Sequence, residues 1–507
     1  MSFVIIAYFV SLAGLGLFGL HRLFLLILYW KVRDRRPPLP PNEAGWPMVT
    51  IQLPIYNERF VARRLVMACA RMEYPRDRLE IQVLDDSTDC TAPRLETLVR
   101  RLQRLGIPVR YLHREQRKGF KAGALAEGLE CARGEFIALF DADFLPPPDF
   151  LRRTVPYFAD PEVGMVQARW DHLNREYSLL TRLQSIFLDG HFLIEHVARN
   201  RTGRFFNFNG TAGLWRKNSI GAAGGWQGDT LTEDLDLSYR AQMAGWRFIY
   251  LDDVVSAAEL PIDMGAFKTQ QHRWAKGSIQ TARKLLPMVL RSNLPWRIKL
   301  EAFFHLTNNM AYLLMAIPCF LWVPTLLRRF DTGHPLYLTF AAAFACTTLF
   351  VIAYHVACQL AAGQGFWKTM RLIPALLSLG IGMSLNNGKA VIEALLGHES
   401  PFQRTPKYGV RGKTATVSRL YQLRVNGLAW LELAMAAYFT VGLWIAIADH
   451  RWLAIPFLLL FLGGFAYVGF TSLGRQLNRL ARVGSLGAAL GLVVLGVWIS
   501  RVLFHVG

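Results

Sequence analysis

Cysteine is scarce and unpatterned. The six cysteines, Cys69, Cys90, Cys131, Cys319, Cys346 and Cys358, show no Cys-x-x-Cys spacing, and three fall inside apolar runs. Neither a disulfide framework nor a zinc site is expected. Acidic residues are also few: 37 Asp and Glu against 57 Lys and Arg leave a net charge of +20. Such a surplus can signal nucleic acid, but the cations gather beside apolar runs, as in Lys31 to Arg36 and Arg404 to Arg424. Membrane lipids with anionic headgroups and a nucleotide diphosphate are the expected partners, and no nucleic acid. Repeats and low-complexity tracts are absent. The first apolar run, Phe3 to Trp30, lacks a small-residue cleavage site and contains His21 and Arg22, which predicts a retained helix rather than a signal peptide.

Long apolar runs are plentiful. With 52% hydrophobic residues in 507 and a mean hydropathy of +0.22, part of the chain must live in lipid. A spanning helix needs about 20 apolar residues. After the first helix (1–36), candidate spans are 300–327, 335–362, 426–447, 452–472 and 484–505, six in all, the last five within a membrane region 293–507. Lys31 to Arg36 marks the cytoplasmic side by the positive-inside rule. The apolar core of 366–396, Leu372 to Met383, is short for a span. An interfacial helix there keeps the basic loop 398–425 in the cytoplasm, although Arg328 and Arg329 then lie outside. The last apolar run ends close to Gly507, so no C-terminal regulatory domain is expected.

Between these apolar ends, 37–292 reads as a soluble unit. Pro37, Pro38, Pro40 and Pro41 make a stiff linker. Met48–Pro54, Leu79–Asp85, Val109–His113 and Glu135–Asp141 are β-rich runs separated by helical stretches such as Arg59–Met72 and Lys118–Arg133. The alternation predicts a mostly parallel, doubly wound α/β sheet, whose ligands bind beyond the carboxyl ends of the strands. Tyr177–Asn200 and Met264–Arg291 read as helices lying at the membrane surface, the second with Lys276, Arg283 and Lys284 towards headgroups.

Carboxylates collect where that sheet would bind ligand. Asp141 and Asp143, one residue apart after a buried strand, could hold a divalent cation. Asp85 and Asp86 end a strand, where Ser87, Thr88 or Asp89 could equally cap a helix. Lys118 and Lys121 stand at a helix start suited to phosphate, or to a solvated cap. Glu233 and Asp234 follow Thr232 at another helix start, where the dipole stabilises acids. Gln270, Arg273 and Trp274 lie ahead of the first long apolar run.

In order, Asp85-Asp86, Asp141-Ala-Asp143, Thr232-Glu-Asp234 and Gln270-x-x-Arg273-Trp274 resemble the D, DxD, TED and QxxRW series of membrane-embedded family 2 glycosyltransferases, the cellulose synthase and cellulose-synthase-like group. The resemblance runs from about residue 45 to about residue 410. It implies a GT-A-like domain attached to an α-helical transmembrane bundle with interfacial helices, in the inner (plasma) membrane, with the catalytic domain cytoplasmic. Inverting transfer of hexose from UDP-glucose or GDP-mannose to a growing β-linked polysaccharide, coupled to secretion, is the implied activity. Transfer to a lipid carrier is the alternative, and a transporter would leave the ordered carboxylates unexplained. By the same resemblance Asp234, with Glu233, is the catalytic base. Asp143 binds Mg2+ or Mn2+, and Asp141 contacts ribose or the metal shell. Tyr56, Glu58, Asp85, Asp86, Lys118, Lys121, Gln270 and Arg273 contact the sugar nucleotide, while Trp170, Asn209, Gly210 and Trp274 contact the β-glycan acceptor. Phe402 to Gly409 resembles a gating loop in which Thr405 and Lys407 touch the nucleotide; a basic juxtamembrane loop binding lipid is the rival. Asn209 to Gly213 and Trp226 look like the cellulose-synthase-like A pattern, and secretion-accessory subunits are possible partners.

Overall fold

The computed structural model describes residues 3–38, 45–327, 335–400, 402–412 and 427–480. Among these residues seven strands form one sheet: β1 (Val49–Ile55), β2 (Leu79–Asp85), β3 (Val109–His113), β4 (Phe136–Leu139), β5 (Val163–His172), β6 (Gly213–Arg216) and β7 (Arg247–Ala258). Their order is β3-β2-β1-β4-β6-β5-β7. Four pairings are parallel, and β6 alone runs antiparallel, to both β4 and β5. The α/β expectation of a mostly parallel sheet is met, with one reversed strand. β1 and β2 are buried almost throughout, and their buried polar residues pair with one another across the strands, Thr50 Oγ1 donating to Glu80 Oε2 at 2.7 Å and Gln52 Nε2 to Gln82 Oε1 at 3.0 Å.

That topology gathers the loops. Since β4 and β5 are each antiparallel to β6, they run the same way as β1, β2 and β7. The carboxyl ends of the other six strands, β3 included through its parallel pairing with β2, and the amino end of β6 therefore share one edge. Buried aromatics anchor it from beneath: Phe140 against Phe150 on one face, and Phe208, Trp215 and Phe248 on the other. Each such side chain contributes on the order of 1.5–3 kcal/mol by leaving water.

Among the described residues, three single helices are long and apolar enough to cross a membrane, within Ile6–Val32, Leu428–Ala448 and Trp452–Leu473. Over the predicted span 300–327 lie two helices, Trp296–Thr307 and Met310–Val323, which meet at a 53° bend and together are apolar enough for one broken span or a re-entrant loop. A helix Pro335–Ala361 occupies 335–362, and 484–505 lies outside the described residues. The stretch 366–396 is two helices, Phe366–Gly382 and Ser384–Leu395. Gly382 and Gly464 let the first of these press on the helix Ile455–Leu480, since a Cβ on Gly464 would sit 2.2 Å from the Ser378 carbonyl oxygen.

The long helix Met264–Arg291 is capped by Asp263, whose carboxylate accepts from the Ala266 amide at 2.8 Å. Its predicted orientation of cations towards headgroups is overturned at Lys276 and Lys284, while Arg283 is exposed. Lys276 is fully buried and pairs with Glu393 at 3.1 Å, Arg283 donates to the Ala394 carbonyl, and Lys284 pairs with Asp229 and Asp236. Lys268 reaches Glu432, a buried acid on the helix Leu428–Ala448, at 2.7 Å. Removing one partner of a buried pair strands the other charge, so Glu432→Ala is expected to destabilise the protein by about 3–5 kcal/mol, read as lowered thermal stability in detergent.

Candidate active site

The common edge of the sheet opens into a cavity of about 180 Å3 whose wall includes Asp141, Asp143, Glu233 and Asp234. Asp141 and Asp143 follow β4 directly. Glu233 and Asp234 begin the helix Glu233–Met243, which faces them across the gap. Lys121 is the cation in between: its Nζ lies 2.7 Å from Asp141, 3.7 Å from Glu233, and donates to the Gly210 carbonyl at 2.8 Å. The crowding shows in the proton affinities. Burial, then the neighbouring Glu233 charge, pushes the Asp234 carboxyl up to about 7 against the pull of Lys121. Burial likewise raises Asp141, with Lys121 opposing. Gly210, at φ +79°, passes so close that a Cβ there would stand 2.8 Å from Asp234 Oδ2.

On the other side Asp143 Oδ2 accepts from Lys407 Nζ at 2.7 Å. Lys407 also donates to the Glu259 carbonyl at 2.6 Å. The Glu259 carboxylate in turn accepts from the Tyr408 and Val410 amides at 2.7 and 3.0 Å, which fastens 402–412 over the cavity. Arg404 closes the same flap against Glu58 at 2.8 Å, although burial pushes the Glu58 carboxyl up to about 8. Thr405 Oγ1 is buried without a hydrogen-bond partner among the described residues.

Arg273 lies over the Phe402 ring, 4.5 Å from guanidinium carbon to centroid, and Arg117 covers Tyr56 at 3.5 Å. Gln270 and Trp274 complete the wall. Trp170 packs on Phe192 and Phe144 at 4.9 and 5.0 Å between centroids. A second cavity, about 450 Å3, shares Trp170, Asn209, Asp234, Gln270 and Trp274 with the first and continues between helices of the apolar half, past Arg22, His191, Tyr312 and Phe461. Arg273 borders the first cavity and not the second.

Sixteen of the eighteen predicted residues line the first cavity; Asp85 and Lys118 do not. Successive strand residues point to opposite faces, so only one of Asp85 and Asp86 can look outward. Asp85 is fully buried, accepting from the Ser87 amide at 3.0 Å and from Tyr111 Oη at 2.6 Å. Asp86 faces the cavity, gripped by Arg114 through two hydrogen bonds of 2.7 Å. Lys118 is exposed. Glu259, Arg404, Arg117 and Phe402 have no assigned role in the sequence reading; the gating-loop run Phe402 to Gly409 is the one signal for Arg404 and Phe402.

The residues fit a divalent cation. Among the described residues no three His, Cys, Asp or Glu side chains converge as a self-sufficient metal site. Asp143 instead carries an ammonium, a monovalent stand-in, beside Asp141. Two carboxylates completed by substrate phosphates are the usual arrangement for Mg2+.

Residues 47–277 match the family model described as "Glycosyltransferase like family 2". Glucomannan 4-beta-mannosyltransferase 1 of Oryza sativa subsp. japonica is 33% identical over 501 residues, 89% of this chain and 91% of that protein. Glucomannan 4-beta-mannosyltransferase 2 of Arabidopsis thaliana is 44% identical over 280 residues, 53% of this chain; there the chain spans only about half, 52%, of its relative's length. The mannosyltransferase PcManGT of Pyrobaculum calidifontis, solved with GDP-Man and Mn2+, shares the fold at a TM-score of 0.54 and 22% identity, over 77% of this chain and all of that one. The ordered carboxylates, the mixed sheet and these relatives agree: the chain belongs to glycosyltransferase family 2, in its cellulose-synthase-like A group.

Proposed function

We propose that the protein is a metal-dependent, inverting mannosyltransferase that takes GDP-mannose and extends a β-linked polysaccharide of the glucomannan kind. The observation that carries this is the cavity that gathers Asp141, Asp143, Glu233 and Asp234, with the Asp234 carboxyl raised to about 7 beside a passage between the apolar helices. The names of the relatives favour mannose over UDP-glucose as donor.

In this mechanism an acceptor hydroxyl attacks the anomeric carbon as Asp234 takes its proton. The new glycosidic bond forms while the bond from that carbon to the diphosphate oxygen breaks, and the electron pair leaves with the GDP. One displacement converts an α-linked donor into a β-linked product. A divalent cation held by Asp143 and Asp141 supplies neutralisation of the departing diphosphate when bound. Arg273, Lys407 and the Thr405 hydroxyl hold the phosphates, Tyr56 and Arg117 flank the nucleoside with Asp86 and Glu58 near by, and Lys121 restrains Asp141. Gln270, Trp274, Trp170, Asn209 and Gly210 receive the acceptor. The second cavity offers the product a route between the membrane helices for secretion. Residues 37–292 form the cytoplasmic catalytic domain, between a first span (1–36) and the membrane region 293–507 of a multi-pass plasma-membrane protein.

The test is GDP release from GDP-mannose by the full-length protein as Mn2+ or Mg2+ is titrated after chelation. Release should vanish in chelator and return with metal. Asp143→Ala should lose the metal response and bind GDP more weakly, because the diphosphate then lacks its main counter-charge. Full release by the wild-type protein in chelator would exclude metal dependence.

A further inference from the structure

Two histidines stand behind Asn209. The helical stretch from Leu179 to Arg201 passes through a π segment, Gly190–Glu195, which changes the side chains that share a face. In an α-helix His191 and His196, five residues apart, would project about 140° from one another. The i to i+5 repeat of a π turn puts them together, and their ring centroids are 4.2 Å apart. Gly190 permits the segment to press on Tyr354, since a Cβ there would lie 2.8 Å from the tyrosine hydroxyl.

Both rings grip one amide. His196 Nε2 is 2.6 Å from Asn209 Oδ1, and Asn209 Nδ2 is 2.9 Å from His191 Nε2. The protons follow from Glu195, whose Oε2 lies 3.4 Å from His191 Nδ1. A carboxylate offers only lone pairs, so His191 carries its proton on Nδ1 and accepts from Asn209 through Nε2. The amide oxygen must then face His196, which donates from Nε2. His196 Nδ1 has no hydrogen-bond partner among the described residues, as suits a neutral ring with its one proton already used. Burial opposes charge on Glu195, but Arg199 at 3.1 Å, with His191, holds its carboxyl well below the usual range. Tyr354 donates to the other carboxylate oxygen at 3.0 Å.

We infer that His191 and His196 are positioning residues that lock the Asn209 amide in a single orientation, so that its remaining N–H and lone pair recognise a hydroxyl of the acceptor sugar beside Asp234. The inference rests on the proposed reaction and adds an acceptor-selecting device to it. Asn209 borders both cavities and precedes Gly210, whose close approach to Asp234 is described above. An amide free to flip would present a donor or an acceptor at either point and would reward no particular hydroxyl arrangement. A fixed one discriminates, because a mismatched partner leaves a polar group unpaired.

The experiment uses the full chain with GDP-mannose as donor and β-1,4-linked mannotetraose as acceptor. His196→Phe keeps a ring among Phe192, Phe206 and Tyr250 and removes the donor. It should raise the KM for mannotetraose about tenfold, with GDP affinity and acceptor-free GDP release within about twofold of wild type. His196→Gln returns an N–H at similar reach and should recover most of the loss. Asn209→Ala combined with His196→Phe should be no worse than Asn209→Ala alone, because the histidine acts through the amide. An unchanged acceptor KM in His196→Phe, or full additivity in the double variant, would overturn the inference. Wild-type protein that releases no GDP would overturn the proposed reaction and the clamp with it, an outcome distinct from intact wild-type transfer matched by His196→Phe.

Discussion

Asp234→Asn is expected to lower turnover by about 10²-fold or more while leaving GDP affinity near that of wild type. The amide keeps the shape of the side chain at the head of the Glu233–Met243 helix but cannot take a proton from the acceptor. Wild-type turnover in this variant would remove Asp234 as the base. The same group sets a pH limb. A base works only when ionised, and the Asp234 carboxyl is held near 7 by burial and by Glu233, so kcat/KM should rise with pH through about 7 and level above it. Glu233→Gln removes the adjacent negative charge, which makes ionisation of Asp234 easier, so the limb should move to lower pH. A pH profile of both proteins checks the sign.

Arg273→Ala and Trp274→Ala should fail in opposite ways although the residues are neighbours. Arg273 borders only the carboxylate cavity, whereas Trp274 borders both. Loss of a guanidinium that pairs with a diphosphate removes charge-assisted hydrogen bonds of about 1.5–3 kcal/mol, or roughly 10- to 100-fold in GDP affinity. Loss of the indole removes a flat surface for a sugar ring, so GDP affinity should stay near native while polymer yield falls at least about tenfold. Calorimetric GDP binding and labelled product from both variants decide the matter. Nucleotide binding lost in Trp274→Ala and kept in Arg273→Ala would reverse these roles.

The α/β core and the carboxylates were legible in the sequence because their chemistry is local: short apolar runs ending in acids are read one segment at a time. What was not legible depends on distant parts of the chain. Lys276 looks like a headgroup ligand until the chain returns 117 residues later with Glu393, and Glu259 shows no purpose until the amides of Tyr408 and Val410 arrive. Asp85 was separable from Asp86 in principle, since strand alternation sends them to opposite sides, but which one faces outward depends on Tyr111 across the sheet. The π segment leaves no compositional trace, so the alignment of His191 with His196 emerges only in three dimensions.

The most direct test of the central claim is the product made from radiolabelled GDP-mannose by membranes containing the full-length protein, with labelled UDP-glucose as the parallel donor. Label from GDP-mannose should enter an insoluble product that β-mannanase digests, and Asp234→Asn membranes should make none. Label confined to solvent-extractable lipid, or product equally abundant with Asp234→Asn, would contradict the account.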